Sequence, residues 1–248
     1  MCVVIIKKAG VNVPSDEIMK KCFEHNPDGC GFMYWGQKGV VVNKGFMNFN
    51  KFKKFHKKVN LKKDNVAIYH FRLASTGRVT AGNTHPFPVT KNIKTMRKLA
   101  GVYDLAVAHN GTFRNTPKHG VTDTMQFIRE LLANRLVKET LHETGTQNAI
   151  EEYIRGSRVA VLTKQGLIHR FGRGWKLDEK TGLVFSNMFW KLEPFKTDGT
   201  MFRDEFGYFF NGEYYYTPKR ELIKRRRKEA EMNRRLELAY YRNLGTDK

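Results

Sequence analysis

An α+β architecture built mainly on antiparallel strands is predicted for this chain of 248 residues. Short apolar or alternating stretches outnumber helical ones, and turn residues rather than helices separate most of them. The regular strand–helix alternation of a parallel sheet is missing. Apolar residues make up 40%, with 18 Phe and 10 Tyr, which supplies a packed core.

The elements follow in order. CVVIIKK reads as a first strand, apolar throughout and so buried on both faces. Ser15 offers an N-cap, Asp16 and Glu17 fill the first turn, and a helix runs to the NPDG turn. GFMYW and GVVVNKGF are paired strands turning at Gly36–Gly39. From Lys44 to Lys63 there are eight lysines and no acid, interleaved with Phe46, Phe49, Phe52 and Phe55. That three-residue repeat predicts the buried stripe of a short helix with a solvated lysine face; a nucleic-acid stacking platform is the minority reading. NVAIYHFRLAS is a strand running into the loop TGRVTAGNTHPFP, and DLAVAHNGTFRN predicts a hairpin closed by Asn110-Gly111. VTDTMQFIRELLANRLV is a helix capped by Thr122 or Asp123, with Phe127, Leu131 and Leu132 on one face. The polar stretch HETGTQNAIEEYI precedes strands in SRVAVLTKQGLIHRFG and GLVFSN. After about Phe195 the character changes: FGYFFNGEYYYTPK predicts an aromatic hairpin, and residues 219–242, with ten basic and four acidic residues, predict a basic helix.

The net charge of +21, from 45 basic and 24 acidic residues, favours anionic partners, nucleic acid among them, although solubility alone also accounts for it. No run approaches the roughly 18 apolar residues of a membrane span, and MCVVII lacks a basic n-region, so a cytoplasmic protein is expected. The three cysteines exclude a disulfide framework and lack paired metal-ligand spacing; no metal is expected. Cys22 and Cys30 read as core. Phosphate-cradling and zinc-protease motifs are missing.

Four separated pieces fit one site. Once methionine is trimmed, Cys2 carries a thiol and a free amine on one residue, titrating near about 8.5 and about 7.7–8.0, so nucleophile and base need no histidine. Alone, Cys2 reads more readily as a buried strand residue than as a nucleophile. Arg72, in YHFRLASTG, presents a planar fork that matches a carboxylate, or forms a structural ion pair. Asn110 and Gly111 set a side-chain amide beside a backbone N–H, as a developing oxyanion requires. Asp123 caps a helix or binds an ammonium group.

The start at Cys2, with NPDGCGF, HFRLASTG…NTHPF, HNG and TDT in order, resembles the class II glutamine amidotransferases, whose glutaminase domains use an N-terminal nucleophile. The likeness spans roughly residues 2–190. It implies a four-layer αββα sandwich, with Cys2 as nucleophile, Asn110 and Gly111 as oxyanion hole, and Arg72, Ser75, Thr76 and Asp123 around L-glutamine. It makes His85, in the HPF loop, structural. Leu73 departs from the family's frequent aromatic. No cofactor is implied. Residues 2–195 would form the glutaminase domain and 196–248 an extension too short for an acceptor-activating domain, which makes a separate ammonia-accepting synthase, or a nucleotide or nucleic-acid modification step, the expected destination of the ammonia. Two alternatives stay open: an N-terminal-nucleophile amidohydrolase for another γ-glutamyl amide, and a non-catalytic basic nucleic-acid-binding protein on the same fold.

Overall fold

The structure is a computed structural model describing residues 2–75, 77–113, 121–191 and the strand residues 202–203, 207–210 and 213–216. Contacts divide the chain into two compact units, residues 1–193 and 194–248.

In the first unit the elements are β1 (Val3–Lys7), α1 (Asp16–His25), β2 (Cys30–Gly36), β3 (Gly39–Phe46), α2 (Phe49–Val59), β4 (Ala67–Phe71), β5 (Phe87–Pro88), α3 (Ile93–Met96), β6 (Ala100–Tyr103) and β7 (Leu105–Asn110). There follow α4 (Asp123–Phe127), α5 (Arg135–Glu139), α6 (Thr144–Ile154), β8 (Arg158–Thr163), β9 (Ile168–Phe171), β10 (Lys176–Asp178) and β11 (Leu183–Phe185). Seven strands form one antiparallel sheet in the order β10-β11-β1-β4-β2-β3-β6, and four form another, β5-β7-β8-β9.

The strand period of two explains the cores. Along β1, Val3 and Ile5 face Met19, Cys22 and Phe52 of α1 and α2, whereas Val4 and Ile6 face Ala106, Ala108, Ala160 and Leu162 of the second sheet. That sheet turns Val107, Val159 and Val161 towards Met125, Phe127, Ile150 and Ile154 of α4 and α6. The two sheets thus share one core, and helices pack against them. Burial of β1 on both faces is as expected, and it lies inside the larger sheet between β11 and β4.

Local signals decide several boundaries. The Ser15 hydroxyl accepts the Ile18 N–H at 3.2 Å and starts α1. Gly36 pairs with Gly39 across the β2–β3 turn. In α2, Phe52 is fully buried and Phe49 packs on the same core, whereas Phe55 is 37% exposed, so the phenylalanine stripe is core except at Phe55. Lys44 departs from the solvated face: it ends in β3, buried, its ammonium donating to Met96 O at 2.6 Å and Gly82 O at 3.1 Å.

The Asn110-Gly111 hairpin is not formed. β7 pairs with β5 and β8, and the chain leaves the sheet after Asn110. Gly111 has φ +144°, and a Cβ there would strike Ser157, so this glycine serves close approach to the neighbouring strand rather than a tight turn. The long helix over 121–137 is likewise interrupted: α4 passes into a π-turn over Ile128–Leu132, with the Ala133 N–H reaching Ile128 O at 2.7 Å, and Asn134 then caps α5. Strands β6 and β10 and helix α6 are additions to the sequence reading.

In the second unit β12 (Phe202–Arg203), β13 (Gly207–Phe210) and β14 (Glu213–Tyr216) form a three-stranded antiparallel sheet, with Phe210 opposite Glu213 as the aromatic hairpin requires. The Asn211-Gly212 pair and the basic helix expected over 219–242 lie outside the described residues.

Candidate active site

A narrow cleft between the ends of the two sheets is lined by Cys2, Arg72, Ser75, Gly111 and Asp123, with Leu73, His85, His109 and Thr124 among its other walls. Cys2 immediately precedes β1, Arg72 immediately follows β4, and Val3 is paired with Phe71, so adjacent strands deliver thiol and guanidinium to one place. The Cys2 thiol is free and 9% exposed; it lies 3.3 Å from both the N–H and the carbonyl oxygen of Leu73. Burial pushes its pKa up, against the lowering effects of the Leu73 N–H and the Arg72 charge. A protonated thiol is therefore the resting form at neutral pH, and attack needs a base.

Arg72 is 3% exposed, and burial is what lowers its pKa; the nearby Asp28 and Asp123 carboxylates oppose that shift. One guanidinium nitrogen donates to Arg78 O at 3.2 Å. The main chain of Arg72 is clamped onto the NPDG loop, its N–H on Gly29 O at 2.9 Å and its carbonyl accepting from Asp28 N at 3.0 Å. Asp28 extends the clamp by accepting the Ala74 N–H at 2.8 Å. Across the cleft, Thr122 is the α4 cap, its hydroxyl accepting from Met125 N at 3.2 Å, and this leaves Asp123 in the first turn rather than as the cap. The Asp123 carboxylate accepts from Phe113 N at 3.0 Å and Thr124 N at 2.8 Å, which orients it towards the cleft. The Ser75 and Thr112 hydroxyls bridge the two walls at 2.8 Å. Thr76 lies outside the described residues.

Asn110 stands behind Gly111 rather than in the cleft wall. Its Nδ2 donates to Ser186 Oγ at 2.9 Å, while its Oδ1 is buried without a partner. Ser186 Oγ also accepts the Val4 N–H at 2.9 Å, and Asn187 Nδ2 donates to Cys2 O at 2.8 Å. Ser186 and Asn187 therefore hold the main chain at Val4 and at Cys2 itself. Sequence reasoning read LVFSN only as a strand; the two polar residues closing an apolar run were the signal available.

Beneath the cleft, His70, His85 and His109 are buried, with ring centroids 4.2 Å apart for His70–His85 and 6.3 Å for His85–His109. His70 Nε2 donates to His109 O at 2.9 Å, and the Thr124 hydroxyl lies 3.1 Å from His85 Nε2 and 2.9 Å from His109 Nδ1. Burial depresses the pKa of all three, to about 3 for His70 and about 4 for His109. His85 is thus part of the packed floor. Among the described residues no group of three or more His, Cys, Asp or Glu is placed to hold a metal ion, and no helix is long and apolar enough to cross a membrane.

A comparison with curated proteins gives no match to this sequence. The family model for class II glutamine amidotransferases matches residues 16–154, a span that begins after Cys2 and includes Arg72, Ser75, Thr76, Asn110, Gly111 and Asp123. With more than half of its length matched and two antiparallel sheets flanked by helices, the chain belongs to the class II glutamine amidotransferases.

Proposed function

We propose that the first unit is a glutaminase domain, a four-layer αββα sandwich in which Cys2 becomes the amino terminus and cleaves the side-chain amide of L-glutamine. The observation that carries the reading is the cleft holding a free thiol, an arginine and a carboxylate together. The Arg72 fork accepts the α-carboxylate, Asp123 the α-ammonium, and the amide carbon comes to rest against Sγ.

In the reaction the Cys2 amine takes the thiol proton as sulfur attacks the amide carbon. The oxyanion that forms is met by the Gly111 N–H and the Asn110 amide. Asn110 stands behind Gly111, and for this role its amide has to turn, freeing Nδ2 for the cleft. Ser186 then donates its hydroxyl to Oδ1, and Nδ2 takes the place of the buried atom that has no partner. Collapse of the intermediate breaks the C–N bond, the ammonium returns its proton to the leaving nitrogen, and ammonia departs. Water then attacks the γ-glutamyl thioester, and glutamate leaves with the thiol restored. The ammonia passes to a separate synthase.

Intact mass after incubation with a chloroketone analogue of glutamine tests this. The expected product lacks Met1 and carries one label at Cys2, and the unlabelled protein releases glutamate from glutamine. A mature chain that keeps Met1, or a label on Cys22 or Cys30, would overturn the reading.

A further inference from the structure

Charge on this molecule is concentrated in one stretch: residues 44–98 hold fourteen Lys or Arg and a single acid, Asp64. The fold buries Lys44 and Arg72 but brings part of that stretch together around the end of β3. The Lys44 N–H donates to Leu99 O at 2.8 Å, the Gly45 N–H to Thr84 Oγ1 at 2.8 Å, and Arg97 packs against Gly82 at 3.2 Å from where its Cβ would be. Residues 78–84 and 91–99 therefore flank the end of β3, from which the chain runs directly into α2. Phe55 of α2 folds back over Phe46 with ring centroids 5.3 Å apart.

The two sides of α2 differ. Lys53 and Lys57 pair with Asp16 at 2.9 and 3.1 Å. Lys51, Lys54 and Lys58, spaced three and four apart, share the other side with Phe55, and among the described residues no carboxylate pairs with them. All three are exposed, as are Lys94 and Lys98 across the β3 end. Between these cations three apolar side chains remain open: Met47 at 41%, Phe55 at 37% and Leu99 at 47%. The band reaches the cleft, because Met47 lies against Gly29, whose carbonyl holds the Arg72 N–H, and Arg78 O accepts from the Arg72 side chain.

We propose that this band binds the backbone of a single-stranded nucleic acid across the rim of the cleft. A protein partner fits less well, since lysine is depleted from protein–protein interfaces, whereas phosphates are met by lysine point charges. The Lys51–Lys58 ridge is about 10 Å long, and its three flexible lysine side chains can meet about three successive phosphates of a strand laid along it. Phe55 supplies an aromatic face on which a base can stack, which selects single strands over duplex. The inference does not depend on the glutaminase reading.

Fluorescence anisotropy of the full chain with a labelled 20-nucleotide oligo-U, at 50–200 mM salt, tests it. Wild type is expected to bind with a steep salt dependence. Lys51→Gln/Lys54→Gln/Lys58→Gln should lose about tenfold or more in affinity and flatten the log–log salt slope by about two, given ~0.7 per phosphate on a single strand. Phe55→Ala should weaken binding without changing the slope. A slope unchanged in the triple variant would overturn the proposal, as would no binding by wild type. Poly-L-glutamate bound as tightly as RNA, with Phe55→Ala silent, would also overturn it and point to an acidic protein surface. Circular dichroism melting of each variant controls for folding.

Discussion

Replacing Ser186 by alanine should destabilise the first unit far more than a surface serine would, because one oxygen joins two strands from different sheets. Ser186 Oγ accepts from Val4 N of β1 and from Nδ2 of Asn110 on β7, both at 2.9 Å, and all three residues are at most 1% exposed. Alanine removes both bonds and puts nothing in their place. An unpaired buried N–H costs about 1–3 kcal/mol, and the stranded Asn110 amide a comparable amount, so the loss should be roughly 2–5 kcal/mol. For a unit of this size each kcal/mol moves Tm by about 2–4 °C, giving a fall on the order of 5–15 °C. Urea denaturation and thermal melting followed by circular dichroism read the effect. Because Asn110→Ala removes one of the same bonds, the double variant should lose at least about 0.5 kcal/mol less than the two single losses combined. A loss below about 0.5 kcal/mol for Ser186→Ala, or strict additivity, would refute the account of the shared oxygen.

Three further outcomes are expected. Cys2→Ala should abolish glutamate release while changing urea stability little, since among the described residues the sulfur hydrogen-bonds Leu73 alone, in two weak 3.3 Å contacts; retained turnover in that variant would remove the thiol from the chemistry. Gly111→Ala should lower stability and activity together, because the new methyl would meet Ser157 Cβ at 2.8 Å and its Cα at 3.0 Å from a backbone at φ +144°; a fully active, equally stable variant in a coupled glutaminase assay and a melt would contradict this packing. Acid should destabilise the fold: His70 and His109 titrate near about 3 and about 4 when folded but near about 6.5 when unfolded, so the unfolded chain binds more protons between those values. Their stabilising contribution is complete above about pH 6.5 and declines as pH falls, by roughly 2 kcal/mol per ring at pH 5; His70→Asn/His109→Asn should flatten the urea-derived stability profile between pH 7 and pH 5, and a profile as steep as wild type would disprove the assignment.

Local chemistry was legible wherever it was decided locally. The Ser15 cap, the Gly36–Gly39 turn, the burial of β1 on both faces and the phenylalanine stripe of α2 follow from residue type and period, and the structure has each of them, the stripe except at Phe55. The Asn110-Gly111 pair misled because an Asn-Gly signal is shared by two conformations: here a neighbouring strand crowding Gly111, not a turn, requires the glycine. Lys44 was read by charge alone, whereas two carbonyls brought from residues 82 and 96 and the Phe87 ring 3.9 Å from its ammonium make burial possible. Those groups arrive only with the tertiary fold. The same holds for Ser186 and Asn187, whose bonds to Asn110, Val4 and Cys2 span 76 to 185 residues of sequence.

The pairing of β1 with β11 has a consequence for synthesis of the chain. The main chain around the thiol is held by Ser186 and Asn187, which leave the ribosome near the end of the first unit. At about 5–20 residues per second, some ten to forty seconds separate translation of the second codon from that of its anchors. Through that interval the sulfur has no fixed main chain beneath it, so a nascent or truncated polypeptide should carry an unassembled cysteine. Competence would then arrive as a single late event, when the eleventh strand docks beside the first.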